Sequence, residues 1–139
     1  MREDITTGGC LCGAIRFTIA GPFEHFFLCH CSRCRKATGS AHAATLFSNT
    51  ARLDWLSGRE LVRTFQLPGT RYQKSFCSHC GSPVPNLRRN GGQIVVPAGS
   101  LETVPILRPE AHICFSDRAG WEEAAETAPR IDGLPGGRP

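Results

Sequence analysis

Seven of the eight cysteines in this 139-residue chain stand in three tight groups. Cys29, Cys31 and Cys34 fall with His30 inside one short stretch, Cys-His-Cys-Ser-Arg-Cys. Cys10 and Cys12 form a C-x-C pair upstream, and Cys77 and Cys80 a C-x-x-C pair downstream. Such spacings let neighbouring thiolates reach one ion together, and soft thiolates select zinc among the common divalent ions, with iron–sulfur left open by ligand type alone. Structural zinc is closed by four protein ligands, whereas catalytic zinc keeps three and an exchangeable position. Seven clustered cysteines divide naturally into four and three. Cys10, Cys12, Cys77 and Cys80 would close a structural zinc, and Cys29, Cys31 and Cys34 would hold a catalytic one. Two Zn2+ per chain are therefore expected, the second open to partial occupancy.

Ligand count alone leaves one alternative. The triplet could recruit His30, His42, His79 or Cys114 as a fourth ligand and become a second closed staple. His30 lies between two ligands and should point away from an ion they share, which suits a hydrogen-bonding role. His79 has the same difficulty inside its C-x-x-C. Cys114 sits in an apolar run and reads as a small buried hydrophobe. Other catalytic patterns are absent: the chain holds no Gly-x-Ser-x-Gly, no phosphate loop and no H-E-x-x-H. Glu24, Asp54, Glu60 and Glu102 read as solvated carboxylates.

The elements that must position these thiols are short strands. Ala14 to Ala20 alternates strictly, with Ile15, Phe17 and Ile19 on one face, and predicts a half-buried strand. His25 to Leu28 is a second strand that delivers the chain to Cys29, and 32–37 could form one helical turn ended at Thr38-Gly39. Ala41 to Phe47 reads as a strand. Arg52 to Leu56 and Glu60 to Phe65 read as a hairpin turned at Ser57-Gly58, with Trp55, Leu61 and Phe65 in the core. Arg71 to Phe76 runs into the second cysteine pair, Gln93 to Val96 follows the turn Asn90-Gly91-Gly92, and Ala111 to Ser116 is a last strand. Pro83 and Pro85 confine their segment to an edge or loop. Gly8-Gly9-Cys10-Leu11-Cys12-Gly13 reads as a glycine-flanked knuckle and not as strand interior. Trp121 to Ala128 suits a short helix. Glycine at 15 and proline at 10 fit a turn-rich, mainly β domain spanning 1–121, with 122–139 as a partly flexible C-terminal extension.

Charge narrows the partners. The formal net charge of +4 counts every thiol as neutral. It falls to about +1 once seven thiolates and two divalent ions are included. The basic residues are scattered, so a nucleic-acid face is not expected. No apolar run reaches the roughly 20 residues of a membrane span, and no secretory leader opens the chain. A cytoplasmic protein is expected, in which clustered cysteines are metal ligands and not disulfides.

Several ordered motifs together resemble one family, the glutathione-dependent formaldehyde-activating enzymes grouped with centromere protein V. Gly8-Gly9-Cys10-Leu11-Cys12-Gly13-Ala14 resembles the family's opening motif. Cys29-His30-Cys31-Ser32-Arg33-Cys34-Arg35-Lys36 with Thr38-Gly39-Ser40 resembles its central one. Phe76-Cys77-Ser78-His79-Cys80-Gly81-Ser82-Pro83 and Val96-Pro97-Ala98-Gly99-Ser100-Leu101 are similar to the third and fourth, and His112-Ile113 through Gly120-Trp121 to the last. The resemblance implies a zinc-binding β-tent fold of coiled antiparallel sheets and few short helices, with the same division of ligands. His42 and Cys114 depart from the pattern, which expects an aromatic and a larger apolar residue there.

What the resemblance implies in function is a zinc-dependent carbon–sulfur lyase. Its substrates would be adducts of glutathione, or another thiol, with formaldehyde or a related aldehyde. A substrate sulfur would take the open position at the triplet, and Arg33, Arg35 and Lys36 could meet glutathione carboxylates, although solvated charges explain them as well. Two alternatives stand beside it: a lyase of the same family with another thiol and aldehyde, and a non-catalytic zinc-stapled β module that binds a protein partner.

Overall fold

The computed structural model describes residues 4–88 and 92–137. Eleven short strands and two short helices follow in chain order: β1 (Ile5–Gly9), β2 (Arg16–Ala20), β3 (His25–Cys29), α1 (Ser32–Thr38), β4 (Ala43–Ser48), β5 (Arg52–Ser57), β6 (Val62–Gln66), β7 (Gln73–Cys77), β8 (Pro83–Val84), β9 (Asn86–Leu87), β10 (Ile94–Pro97), β11 (Ala111–Ile113) and α2 (Glu122–Thr127). They form three sheets, ordered β1-β2-β5, β11-β3-β4-β10-β9 and β6-β7-β8. All pairs are antiparallel except β11 with β3, which run parallel. The architecture is mainly β with few short helices, as expected. No helix among the described residues is long and apolar enough to cross a membrane.

Period-two alternation explains how the five-stranded sheet serves two purposes. Phe26, Leu46, Ile94 and Val96 point from it into the main core, where they meet Phe17 and Ile19 of β2. The intervening residues, Phe27 and Cys29 on β3, Thr45 and Phe47 on β4, Val95 and Pro97 on β10, face the other way and wall a cavity. That is why His-Phe-Phe-Leu-Cys and Ile-Val-Val-Pro are apolar on both faces. Ile15, Phe17 and Ile19 are all fully buried, in agreement with the alternation of that segment.

Four expectations need correction. Residues 52–57 and 62–66 do not form a hairpin: β5 pairs with β2, while β6 pairs with β7 in a different sheet. Gly58, at φ +73°, and the tight turn Arg59–Leu61 redirect the chain instead of folding it back. A Cβ on Gly58 would lie 2.3 Å from the Ala14 carbonyl oxygen, so the crossing point admits only glycine. Phe65 consequently ends on an outer strand and is 50% exposed, whereas Trp55 and Leu61 pack against buried residues.

Gly8 and Gly9 belong to strand β1 and not to the knuckle. Their lack of a side chain serves close packing, because a Cβ on Gly8 would meet the Ser100 carbonyl oxygen at 2.5 Å and the Phe17 ring at 2.6 Å. The last strand stops at Ile113, and Cys114 is exposed in the left-handed region at φ +52°. An apolar neighbourhood in sequence did not bury it, since the backbone leaves the sheet there. Asn90 and Gly91 of the expected turn lie outside the described residues.

Candidate functional site

The outer cysteine pairs are delivered by two different sheets. Cys10 and Cys12 follow β1, and the loop closes through Gly13 N–H to the Cys10 carbonyl at 3.1 Å, with Gly13 at φ +80°. Cys77 ends β7, and Gly81 N–H returns to the Cys77 carbonyl at 2.8 Å, with Gly81 at φ +77°. These are matching tight knuckles. Leu11 N–H donates to Ser82 Oγ at 2.9 Å and pins one knuckle to the other. Backbone N–H groups of Ile15 and His79 point at the sulfurs of Cys10 and Cys77, at 3.2 and 3.4 Å.

The four sulfurs of Cys10, Cys12, Cys77 and Cys80 all lie within 4.8 Å of one another. Cys10 and Cys12 Sγ are 3.5 Å apart, and Cys12 and Cys77 Sγ 3.9 Å. A tetrahedral ion with zinc–sulfur bonds of about 2.3 Å needs sulfurs about 3.8 Å apart. The residues therefore fit one such ion. Ser82, whose hydroxyl lies 3.2 Å from Cys80 Sγ, helps pull the Cys80 thiol down to about 5, whereas the Cys12 thiol of the same set stands at about 11.

The triplet is built by the junction of β3 and α1. Cys29 is the last residue of β3, and Cys31 is the N-cap of α1, its sulfur 3.4 Å from the Cys34 N–H. Gly39, left-handed at φ +68°, ends the helix as its sequence implied. Cys29, Cys31 and Cys34 sulfurs also lie within 4.8 Å of one another, and among the described residues no fourth His, Cys, Asp or Glu joins them. This donor set fits a soft divalent ion with one position unfilled by protein. Burial and the neighbouring cysteines push the Cys34 thiol up, and burial is the largest cause at Cys29 as well.

The rival fourth ligands are all turned elsewhere. His30 is fully buried on the far side of the strand, where its Nε2 lies 2.8 Å from His112 Nδ1. Its ring centre is 5.0 Å from those of His42, His112 and Phe115. His30 thus hydrogen-bonds away from the triplet, as expected, and burial lowers its basicity. His42 packs on His30 and does not line the cavity. His79 and Cys114 are exposed.

Against the triplet lies a cavity of about 250 Å³, walled by the outward face of the five-stranded sheet, α1, β7 and β8. Cys29 and Cys34 stand in its lining with Phe27, Phe47, Val95 and Ile113. Arg33, Arg35 and Lys36 do not line it; its cations are Lys74 and Arg88. Tyr72 also lines it, and its hydroxyl makes no hydrogen bond among the described residues. Burial, then the charge of Cys34, Cys31 and Cys29, pushes the Tyr72 phenol above its usual value. Sequence reasoning missed Tyr72, Lys74 and Arg88. Lys74, three residues before Cys77 on a strand leading to a ligand, was detectable in principle; Arg88 had no local signal.

A profile of the family described as glutathione-dependent formaldehyde-activating enzyme matches residues 5–117. The chain belongs to this family. A relative from Halomonas elongata, provisionally named as a glutathione-dependent formaldehyde-activating enzyme, is 30% identical over 126 residues, covering 84% of this chain and 78% of its own. A crystal structure of a Rhodobacter sphaeroides protein is 27% identical and covers 76% of this chain and 98% of that one, with a TM-score of 0.53. The family profile spans all seven clustered cysteines.

Proposed function

We propose that this member of the formaldehyde-activating family is a zinc-dependent carbon–sulfur lyase acting on adducts of a thiol with an aldehyde. In the reaction for which the family is named, the pair is glutathione and formaldehyde. The observation that carries this reading is the three-cysteine cluster with no fourth protein ligand among the described residues, beside a cavity that Cys29 and Cys34 line. A purely structural site would need neither the missing ligand nor the space beside it. The same feature favours an enzyme over a protein-binding zinc module.

Zinc bound by the triplet would supply positive charge that keeps a substrate sulfur deprotonated at neutral pH. The chain's own groups do the rest. Cys29, Cys31 and Cys34 set where that sulfur sits, with Cys31 fixed as a helix cap and Cys29 by strand pairing. Phe27 and Ile113, beside Cys29, keep water from the reacting carbon. Tyr72, raised and therefore protonated at neutral pH, donates its hydroxyl proton in a hydrogen bond to the substrate oxygen. In the cleaving direction the C–S bond breaks with its electron pair going to sulfur. The hydroxyl oxygen becomes the aldehyde carbonyl, and its proton passes to solvent; condensation is the reverse. Cys10, Cys12, Cys77 and Cys80 would hold a second zinc, which would tie the sheets together and take no part in the chemistry.

Metal content separates the two roles. Wild-type protein should carry two zinc ions per chain, and Cys31→Ser should carry one while keeping its fold by circular dichroism. Tyr72→Phe should keep both ions and lose about tenfold to a hundredfold in cleavage of the S-hydroxymethyl adduct. Full retention of both ions by Cys31→Ser would contradict the reading.

A further inference from the structure

The register of the five-stranded sheet sets the shape of the cavity floor. Cys29 opposes Ala43 on β4, and Phe47 stands further along that strand, opposite Val95 of β10. At roughly 3.3 Å per residue the triplet and Phe47 lie about 13 Å apart along the strand direction. Phe27, Thr45, Val95 and Pro97 fill the floor between and beside them. The space is thus a trough with thiols at one end and an apolar bed.

The far end carries a cation. Arg88 follows β9, the outermost strand, and its guanidinium carbon stands 5.8 Å from the centre of the Phe47 ring. Its backbone N–H donates to the Gln93 carbonyl at 2.9 Å, but its guanidinium makes no hydrogen bond or ion pair among the described residues. Lys74, from the opposite wall, donates from Nζ to the Ala37 carbonyl and is committed to α1. No Asp or Glu lines the cavity among the described residues.

This balance suits one kind of thiol. A carboxylate would find the free guanidinium, which binds carboxylates through two parallel hydrogen bonds. An aliphatic or aromatic body would cover Phe27, Phe47 and Val95 and leave water. An ammonium would find no carboxylate and would be buried beside like charge. Glutathione carries such an ammonium, together with two carboxylates and two polar peptide links.

We infer that the thiol this site takes has an apolar body ending in a single carboxylate and no ammonium group, its sulfur at the triplet and its carboxylate on Arg88. The inference deepens the thiol-adduct reading and rests on it only for the position of the sulfur.

Binding, measured apart from turnover, tests it. The zinc-loaded protein is titrated calorimetrically with ω-mercaptooctanoate, ω-hydroxyoctanethiol, ω-aminooctanethiol and glutathione. The mercapto acid should bind at least about tenfold tighter than the hydroxyl analogue and tighter than glutathione, with the amine weakest. Arg88→Gln should remove the advantage of the acid and leave the hydroxyl analogue unchanged, and Arg88→Glu should raise the amine above the acid. Arg88 is exposed at a strand end, so both variants should fold. Glutathione binding tightest, no thiol binding, or an order indifferent to Arg88→Gln overturns the inference. Cleavage of the formaldehyde adducts is followed in parallel. The expected binding order without any cleavage would sink the lyase reading and leave this inference standing.

Discussion

Cys31 does two jobs with one side chain: it caps α1 by accepting from the Cys34 N–H, and its sulfur lies within 4.8 Å of those of Cys29 and Cys34, which line the cavity. Serine is a good N-cap, so Cys31→Ser preserves the helix start while replacing a soft ligand by a poor one. Its cleavage activity should fall at least about a hundredfold with little change in melting temperature. Gly8 shows the opposite case, a residue with no chemistry and a strict steric demand. Gly8→Ala must move both the Ser100 carbonyl and the Phe17 ring, and should cost about 1–3 kcal/mol in denaturant unfolding. The thiols were legible in the sequence because ligand type and spacing are local properties. Cys114 was not, since its exposure follows from a left-handed backbone angle that no neighbouring residue announces.

At the scale of elements, strands with clear alternation were readable and their partners were not. Arg16 to Ala20 declares its buried face through Phe17 and Ile19. Nothing in Ser57-Gly58 says that the chain crosses to another sheet, because a glycine at positive φ serves a hairpin and a crossing alike. The parallel pairing of β11 with β3 was equally hidden, as it depends on contacts about 85 residues apart. Glu110 secures that pairing: its Oε1 accepts from Phe26 N–H at 3.1 Å, and its own N–H returns to the Phe26 carbonyl at 2.9 Å. His25 Nδ1 lies 2.9 Å from the same Oε1 and, as the largest cause, holds the Glu110 carboxyl below its usual value. A lowered carboxylate contributes stability above its unfolded pKa and loses it as pH falls through the folded one. Wild type should therefore lose stability on acidification below the ordinary carboxylate range, and Glu110→Gln should show a smaller acid loss. Melting curves taken from neutral pH down to about pH 3 would reveal this; identical slopes would rule out the contribution.

In the whole molecule, three small sheets share modest cores, and the second of these includes metal-ligand candidates, with Ile15, Cys77 and Val84 buried against Cys10, Cys80, Trp55, Leu61 and Val62. A thiol cluster joining the end of β1 to the end of β7 bridges two sheets that exchange no ladder hydrogen bonds. If that cluster holds zinc, metal binding is part of folding. Cys77→Ser, or exhaustive chelation, should lower the melting temperature by more than about 10 °C, where Cys31→Ser does not. The mainly β class and the two thiol clusters were legible because composition and motif order determine them. The cavity was not, since it arises only when the outward faces of β3, β4 and β10 come under α1 and β7. The central claim is catalysis at the open triplet, and exchange NMR of formaldehyde with thiol over the zinc-loaded protein tests it most directly. The account predicts interconversion of free aldehyde and S-hydroxymethyl adduct well above the uncatalysed rate for wild type, reduced to background in Cys31→Ser. A wild-type rate equal to background, or a folded Cys31→Ser protein with full activity, would contradict it.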